Sequence, residues 1–383
     1  MPDRVQVIDS TEKLQDKINK LGKGGIFDGE NKTYYVTALW LKSNITVKNL
    51  NLVAIPTDFS DVSVLNIGND LSTNRFNRSK EGVQSMQASQ SIIGISNIRL
   101  KNISIDGSRS KQKKLRQEDR DGGKHGINIK GFVSNIYIDD VRIKNCATDG
   151  IAIYRGLHTN LISGAEKQAS KNIQIKNLVS RDNRRHGGSG DSIENFVCDN
   201  CTFINNGFNV GNSNEEGAKG AIYLGKLYGN GWDMEGYGIG SRISEVKFIN
   251  SRFTDNAGAG LVFYDTSDQS DENFIQRENI SLINCIFDTG KYNPVGDFCL
   301  TFSSTIQNKT HAIKLYSNIL VKDCTLRGRV ILRSCDRISF LNTNQEINKS
   351  STRGILDHVL NLKISSGNMN SSNWITDNVK FMK

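Results

Sequence analysis

Proline is almost absent, with 3 in 383 residues, and only 8% of the chain is aromatic. No apolar run approaches the roughly 20 residues that a bilayer-spanning helix needs. The opening MPDRVQVIDS lacks the basic-then-apolar order of a secretory signal, so the sequence as written predicts neither membrane insertion nor Sec export. Cysteines are few and odd in number: Cys146, Cys198, Cys201, Cys285, Cys299, Cys324 and Cys335. Their scatter excludes a disulfide-stapled miniprotein and fits reduced thiols of a protein made in a cytoplasm. With 37% hydrophobic and 23% charged residues, there is enough apolar material for a sizeable core, which excludes disorder and collagen-like repeats. The net charge is +9. It permits nucleic acid as a partner, but no recognised binding motif supports one.

What the chain has instead is a repeated phrase: an alternating apolar run, an Asn, a second short apolar stretch and a small-residue turn. It reads NIRLKNISIDG from Asn97, NIYIDDVRIKNCATDG from Asn135, NIQIKNLVSRDN from Asn172 and NFVCDNCTFINNG from Asn195. It returns as EVKFINSRFTDNAG from Glu245, NISLINCIFDTG from Asn279 and NILVKDCTLRG from Asn318. The spacing of two predicts strands. Short strands recurring every ~25 to 40 residues leave each unit's apolar face uncovered unless the units stack in parallel. The central Asn102, Asn145, Asn177, Asn200, Asn250 and Asn284, with Asp323 in the last phrase, are expected at tight bends, where Asn tolerates a left-handed backbone.

This pattern resembles the right-handed parallel β-helix of the pectate-lyase-like superfamily, which includes polygalacturonases, polysaccharide lyases, mannuronan epimerases and phage tailspike depolymerases. The resemblance covers nearly the whole chain. It implies an all-β, single-domain solenoid with a short N-terminal capping helix from Ser10 through Leu21. The expected divisions are residues 1–60 for the cap and first coils, 61–367 for the β-helix, and 368–383 for a closing tail. Polar insertions, among them Gly68 to Gln90, Gly207 to Gly217 and Gly225 to Ser241, are expected as loops on the sides of the stack.

Candidate chemistry comes from the residue preceding the Gly that opens the next strand. KHGINI, TDGIAI, RHGGSG and KGAIYL place His125, Asp149, His186 and Lys219 there, one ladder with ~5 Å steps. TDGI and RHGGS are similar to the Asp- and His-bearing motifs that line the cleavage site of polygalacturonase-type hydrolases, which marks Asp149 and His186. The family's Asp-Asp pair and Arg-Ile-Lys triplet are missing. Hydrolysis needs a proton donor and a second carboxylate: Asp149 is the first candidate, with Asp182, Asp191 or Glu216 as its partner. β-Elimination would use His186 or Lys219 as base, Arg184 and Arg185 as a carboxylate clamp, and Tyr223 as acid. The Gly-rich loop around Tyr228, Trp232 and Tyr237 offers aromatic faces for sugar stacking, and His125 and Glu216 complete the binding set. Cys198 and Cys201 read as core residues, and no metal-ligand set stands out, although the resemblance admits calcium, which many polysaccharide lyases of this fold use.

The sequence therefore predicts a carbohydrate-active enzyme that depolymerises an acidic polysaccharide, a glycoside hydrolase before a lyase or epimerase. It resembles a phage or prophage tailspike, for which release by lysis to a virion or extracellular setting and assembly of three chains would follow. A non-catalytic glycan-binding or structural spike is the other class.

Overall fold

The computed structural model describes residues 8–56, 63–68, 94–112, 124–131, 133–154, 169–207, 222–223, 226–227, 229–236, 242–265, 277–289, 298–304, 315–346, 354–365, 367–369 and 374–377. Twenty-five strands join in one sheet whose pairings are all parallel, and each strand bonds to its equivalents one coil before and after. One chain of register partners runs Ile98, Ile136, Ile173, Phe196, Val246, Ile280, Ile319 and Ile338, every one buried. Alternation at period two aims these residues inward, and the coil-to-coil repeat stacks like on like. Phe203, Phe253 and Phe287 accordingly form a face-to-face pile with ring centroids 5.0 Å apart. The seven cysteines are buried and free.

Corners are made by residues with left-handed backbone. Asn49, Asn102, Asp140, Asn177, Asn200, Asn250, Asn284, Asp323 and Asn342 all have φ between 47° and 54°. Side-chain amides bond along the column, as from Asn200 to Asn177 at 2.7 Å and from Asn284 to Asn250 at 2.8 Å. One expectation needs correcting. Asn145 lies at a different corner, in register with Asp182, and Asp140 holds the expected place in that coil, because Asp139 pairs with Lys176 just before Asn177. Both residues tolerate left-handed backbone, so composition could not choose between them.

The helix Thr11–Lys20 caps the stack by burying Leu14 and Ile18. Its Gln15 amide also imitates a strand: Oε1 accepts the Trp40 N–H and Nε2 donates to the Trp40 carbonyl, both at 2.9 Å. That satisfies part of the first sheet edge, which would otherwise invite another chain. At the far end, Trp374–Asp377 adds one more parallel strand to Gly354–Ser365, within the segment expected as a closing tail.

One sheet of the solenoid carries the candidate chemistry. Its strands are Leu39–Leu41, Leu65–Gly68, Ile127–Lys130, Ile151–Tyr154, Gly188–Gly190, Trp232–Gly236, Leu261–Asp265 and Phe298–Ser304, continuing into the first halves of Arg329–Leu341 and Gly354–Ser365. In chain order the long segments 69–93, 155–168, 266–276 and 305–314 directly follow strands of this sheet. The other corners turn on single residues.

Candidate functional site

Each strand of this sheet is entered through one buried residue, and these form a column: Ser63, His125, Asp149, His186, Asn230 and Ala259. The backbone N–H of each donates to the side chain one coil earlier. His125 N–H reaches Ser63 Oγ at 3.2 Å, Asp149 N–H reaches His125 Nδ1 at 3.3 Å, and His186 N–H reaches Asp149 Oδ1 at 3.0 Å. Asn230 N–H reaches His186 Nδ1 at 3.1 Å, and Ala259 N–H reaches Asn230 Oδ1 at 2.9 Å. The expected ladder of His125, Asp149 and His186 is therefore brought together, but its fourth member is Asn230 in place of Lys219. Gly187 N–H bonds the Asn230 carbonyl, which fixes that register. An acceptor side chain is what this position requires, since each N–H here is buried.

Asp149 has a second set of partners. Arg185 binds it bidentately, Nε to Oδ1 at 2.7 Å and Nη2 to Oδ2 at 2.6 Å. Ser189 Oγ donates to Oδ2 at 2.7 Å, and Tyr154 hydroxyl lies 3.4 Å from the same oxygen. Burial alone would raise this carboxyl, but the Arg185 charge and hydrogen bonds outweigh it and hold Asp149 well below the usual carboxylate range. Buried and paired bidentately with Arg185, Asp149 is held in its ionised form, a setting that fits an anchoring anion better than the proton donor expected of it. Burial likewise lowers His125 to about 4 and His186 to about 3, so both imidazoles are neutral near pH 7.

The neutral His186 has one tautomer. Its Nδ1 accepts the Asn230 N–H, so the ring proton is assigned to Nε2, which faces Asp233 Oδ2 at 3.2 Å. Asp233 is 5% exposed and its Oδ1 has no hydrogen-bond partner. Burial first, and the Glu235 charge next, raise its carboxyl well above the ordinary value, against an opposing pull from Arg185. Asp233 thus has one oxygen oriented by His186 and the other unengaged, in surroundings that favour its protonated form. Glu235 stands two residues on along the same strand and face, half-buried. Two residues of strand put their Cα atoms about 7 Å apart.

Neither Asp233 nor Glu235 was singled out from sequence. The signal was there in Trp232-Asp233-Met234-Glu235, an apolar and acidic alternation that places both carboxylates on one side of a strand. The same alternation sends Trp232 inward, which corrects its assignment to sugar stacking. Its ring is fully buried among Phe196, Phe203 and Phe248, with centroids 5.2 to 5.5 Å away. Gly188 is opposite on the preceding coil because any Cβ there would come within 2.2 Å of that ring.

Asp182 is also corrected. It is a corner residue with φ 56°, bonded to Arg181 and to the Asn205 amide, and it lies apart from Asp149. Asp191 directly follows Gly190, whose partners Ile153 and Met234 precede Tyr154 and Glu235, so it continues the outward column of those two residues. Arg184 turns away from Asp149 and donates to the Ala147 carbonyl at 2.6 Å. Tyr223 is placed only as part of a short antiparallel hairpin with Lys226. Lys219, Glu216, Tyr228 and Tyr237 lie outside the described residues. Among the described residues no three His, Cys, Asp or Glu side chains come together as the ligands of a metal ion.

No protein-family model and no curated protein matches the chain. Solved structures do. PfbA, a surface adhesin of Streptococcus pneumoniae, superposes with a TM-score of 0.60 at 13% identity, covering 94% of this chain and 82% of that one. The tailspike protein gp49 from Acinetobacter baumannii bacteriophage Fri1, a capsular polysaccharide depolymerase, gives 0.55 at 11% identity over 98% of this chain and 60% of its own. The pre-mature bacteriophage phi29 gene product 12 gives 0.55 at 15% identity, over 94% of this chain. The chain spans 60% and 49% of the lengths of these two phage proteins. At such identities the likeness is one of fold, and the fold is a parallel β-helix. No helix among the described residues is long and apolar enough to cross a membrane.

Proposed function

We propose that this chain is a polysaccharide-cleaving glycosidase in which Asp233 donates the proton to the leaving glycosidic oxygen and Glu235 is the second carboxylate. The observation that carries this reading is the setting of Asp233: buried, facing His186 through one oxygen, its carboxyl pushed upward by burial, and beside a second carboxylate on the same face. The two side chains stand on one outward face with Cα atoms about 7 Å apart, and in this reading Glu235 serves as the base that activates water. Arg185, fixed by Asp149, lends positive potential to the site without meeting the substrate's proton. The net charge of +9 supports an acidic chain as substrate, since positive charge steers anionic polymers inward. Lys130 and Arg333 would then contact it at either end of the column containing Tyr154 and Glu235. The likeness to a tailspike described as a capsular polysaccharide depolymerase supports a phage or prophage depolymerase.

The test is incubation with a panel of neutral and uronate-containing capsular polysaccharides, following reducing ends and the ultraviolet absorbance of unsaturated ends. New reducing ends without absorbance, lost in Asp233→Asn, is the expected result. Absorbance rising with reducing ends would establish elimination and remove the acid role of Asp233. A second reading, a non-catalytic glycan-binding or structural spike, draws support from the column itself, because backbone capping alone accounts for His125, Asp149 and His186. Silence of the wild type across the panel favours it.

A further inference from the structure

Outside the strands that carry the Asp233 column, a half-open cleft of about 220 Å³ lies where strand Ile95–Asp106 ends. Three successive coils form one wall through Val53, Asp106 and Asn145, since Val53 pairs with Asp106 and Asp106 with Lys144. Ser108 and the short 3₁₀ turn Arg109–Lys111 form the other. The turn is fixed by its backbone: Arg109 N–H donates to the Asn145 carbonyl at 2.9 Å, and Lys111 N–H donates to the Ser108 carbonyl at 2.8 Å. Ser110 and Lys111 are exposed, so solutes reach the cleft, whereas Arg109 is only 3% exposed.

Arg109 and Lys111 bring positive charge to this cleft, and Asp106 is the carboxylate that opposes them. Asp106 is already engaged. Lys144 Nζ lies 3.3 Å from its Oδ2, Ser108 N–H donates to its Oδ1 at 2.9 Å, and Asn145 Nδ2 lies 3.4 and 3.5 Å from its two oxygens. With Lys144 included, three cations face one carboxylate, and the balance favours an anion. A guanidinium withdrawn from water acts through a lower dielectric than an exposed one, and its planar fork matches two oxygens of an oxyanion. Lys111 adds a point charge on a flexible stem from the solvent side. The Ser108 hydroxyl makes no capping bond to its own turn. The cleft is several times the volume of one water, which gives a small oxyanion room with part of its hydration.

We propose that this cleft is a binding site for one oxyanion group, a phosphate, sulfate or carboxylate, held by Arg109 and Lys111 with the Ser108 hydroxyl. A free anion and the acid group of a polysaccharide present the same chemistry, and the test separates them. The site stands apart from the glycosidase reading, because none of its residues belongs to the column of Asp149 and His186 or to the strand of Asp233 and Glu235.

The full-length protein is titrated calorimetrically with inorganic phosphate, sulfate and glucuronate, and the variants Lys111→Gln, Arg109→Gln and Lys176→Gln are titrated in parallel. The expected result is one saturable site with a Kd of about 1 mM or tighter. Binding should weaken about fivefold in Lys111→Gln, vanish in Arg109→Gln and stay unchanged in Lys176→Gln, which removes the same net charge from an exposed strand elsewhere. Lys111 is exposed, so the melting temperature of Lys111→Gln should equal that of wild type, and this variant decides the matter if Arg109→Gln fails to fold. Saturable binding led by phosphate or sulfate supports the site and identifies a free tetrahedral anion as its ligand. Binding led by glucuronate, and displaced by a uronate-containing capsular polysaccharide, supports the site and identifies the polymer as the source. No saturable binding of any of the three anions overturns the proposal. Equal weakening by Lys111→Gln and Lys176→Gln also overturns it, by assigning the binding to bulk charge. Neither result touches the glycosidase reading, which is tested on Asp233.

Discussion

Two outward surfaces of this solenoid share a backbone and a coil-to-coil repeat yet treat their polar groups in opposite ways. On the sheet containing Lys101, Asp139, Lys176 and Asp199, register partners alternate in sign from coil to coil, and Lys101 and Lys176 are exposed. Water and neighbouring opposite charges satisfy them. On the sheet containing Asp233, the outward column from Asn66 to Thr301 is buried, the Arg185–Asp149 pair is largely withdrawn from water, and four oxygens of that column lack partners. The difference teaches that the fold needs only the first kind of surface. The second kind carries free-energy costs that stacking does not require, and such costs concentrate where a protein meets a ligand.

The contrast can be broken in graded steps. Asp233→Asn has the largest expected effect, a loss of about 100- to 10,000-fold in cleavage rate, measured as reducing ends on whichever panel polysaccharide the wild type cuts. Arg185→Ala comes next, since it leaves Asp149 charged and unpaired inside the protein. The expected cost is about 3 to 5 kcal/mol, read from denaturant unfolding.

Acid should weaken this sheet selectively. His125 and His186 are lowered in the folded state to about 4 and about 3, below the ordinary 6.5. Their neutral forms are the folded forms, so their contribution is complete above pH 6.5 and is lost as pH falls from there toward those folded values. They are worth roughly 3 and 5 kcal/mol respectively over that interval. Asp149 adds a loss below its ordinary 3.8, because its folded carboxyl is held lower still. Stability measured at pH 7 and pH 4.5 should differ by several kcal/mol, and His125→Asn should flatten that slope. His186→Asn sharpens the comparison in another way. Asn230 already shows that an Asn can accept the next coil's N–H, so the variant should fold while removing the donor to Asp233. Cleavage should drop about tenfold or more, and the alkaline limb of its pH profile should move upward. Lys176→Ala, on the solvent-satisfied sheet, should change stability by less than about 0.5 kcal/mol.

The fold was legible because its signals are local and repeated: apolar spacing of two, a left-handed Asn at the bend, and a polar helix end ahead of the first coil. Where two such signals competed, sequence alone could not decide. NIYIDDVRIKN offers Asp140 and Asn145 as corners, and both are corners, of different sides. The entry column was half legible. His125, Asp149 and His186 share a Gly-bounded phrase, but KGAIYL imitates it better than GNGWDM, which is the true continuation. Asp149 stood out from the TDGI phrase, and only the Arg185 contact across coils shows that its carboxyl is held ionised. Asp233 needed a fact that no single stretch contains: that His186 lies one coil before it.

The central claim is that Asp233 is an uncharged carboxylic acid at neutral pH. Carbon NMR of aspartate-labelled protein, with Asp233→Asn to assign the resonance, measures this directly in the full chain. The account predicts that the Asp233 carboxyl remains protonated at pH 7 and titrates only above it. A resonance that titrates near the ordinary value of about 3.9 would contradict the acid role and leave a glycan-binding solenoid without this catalyst.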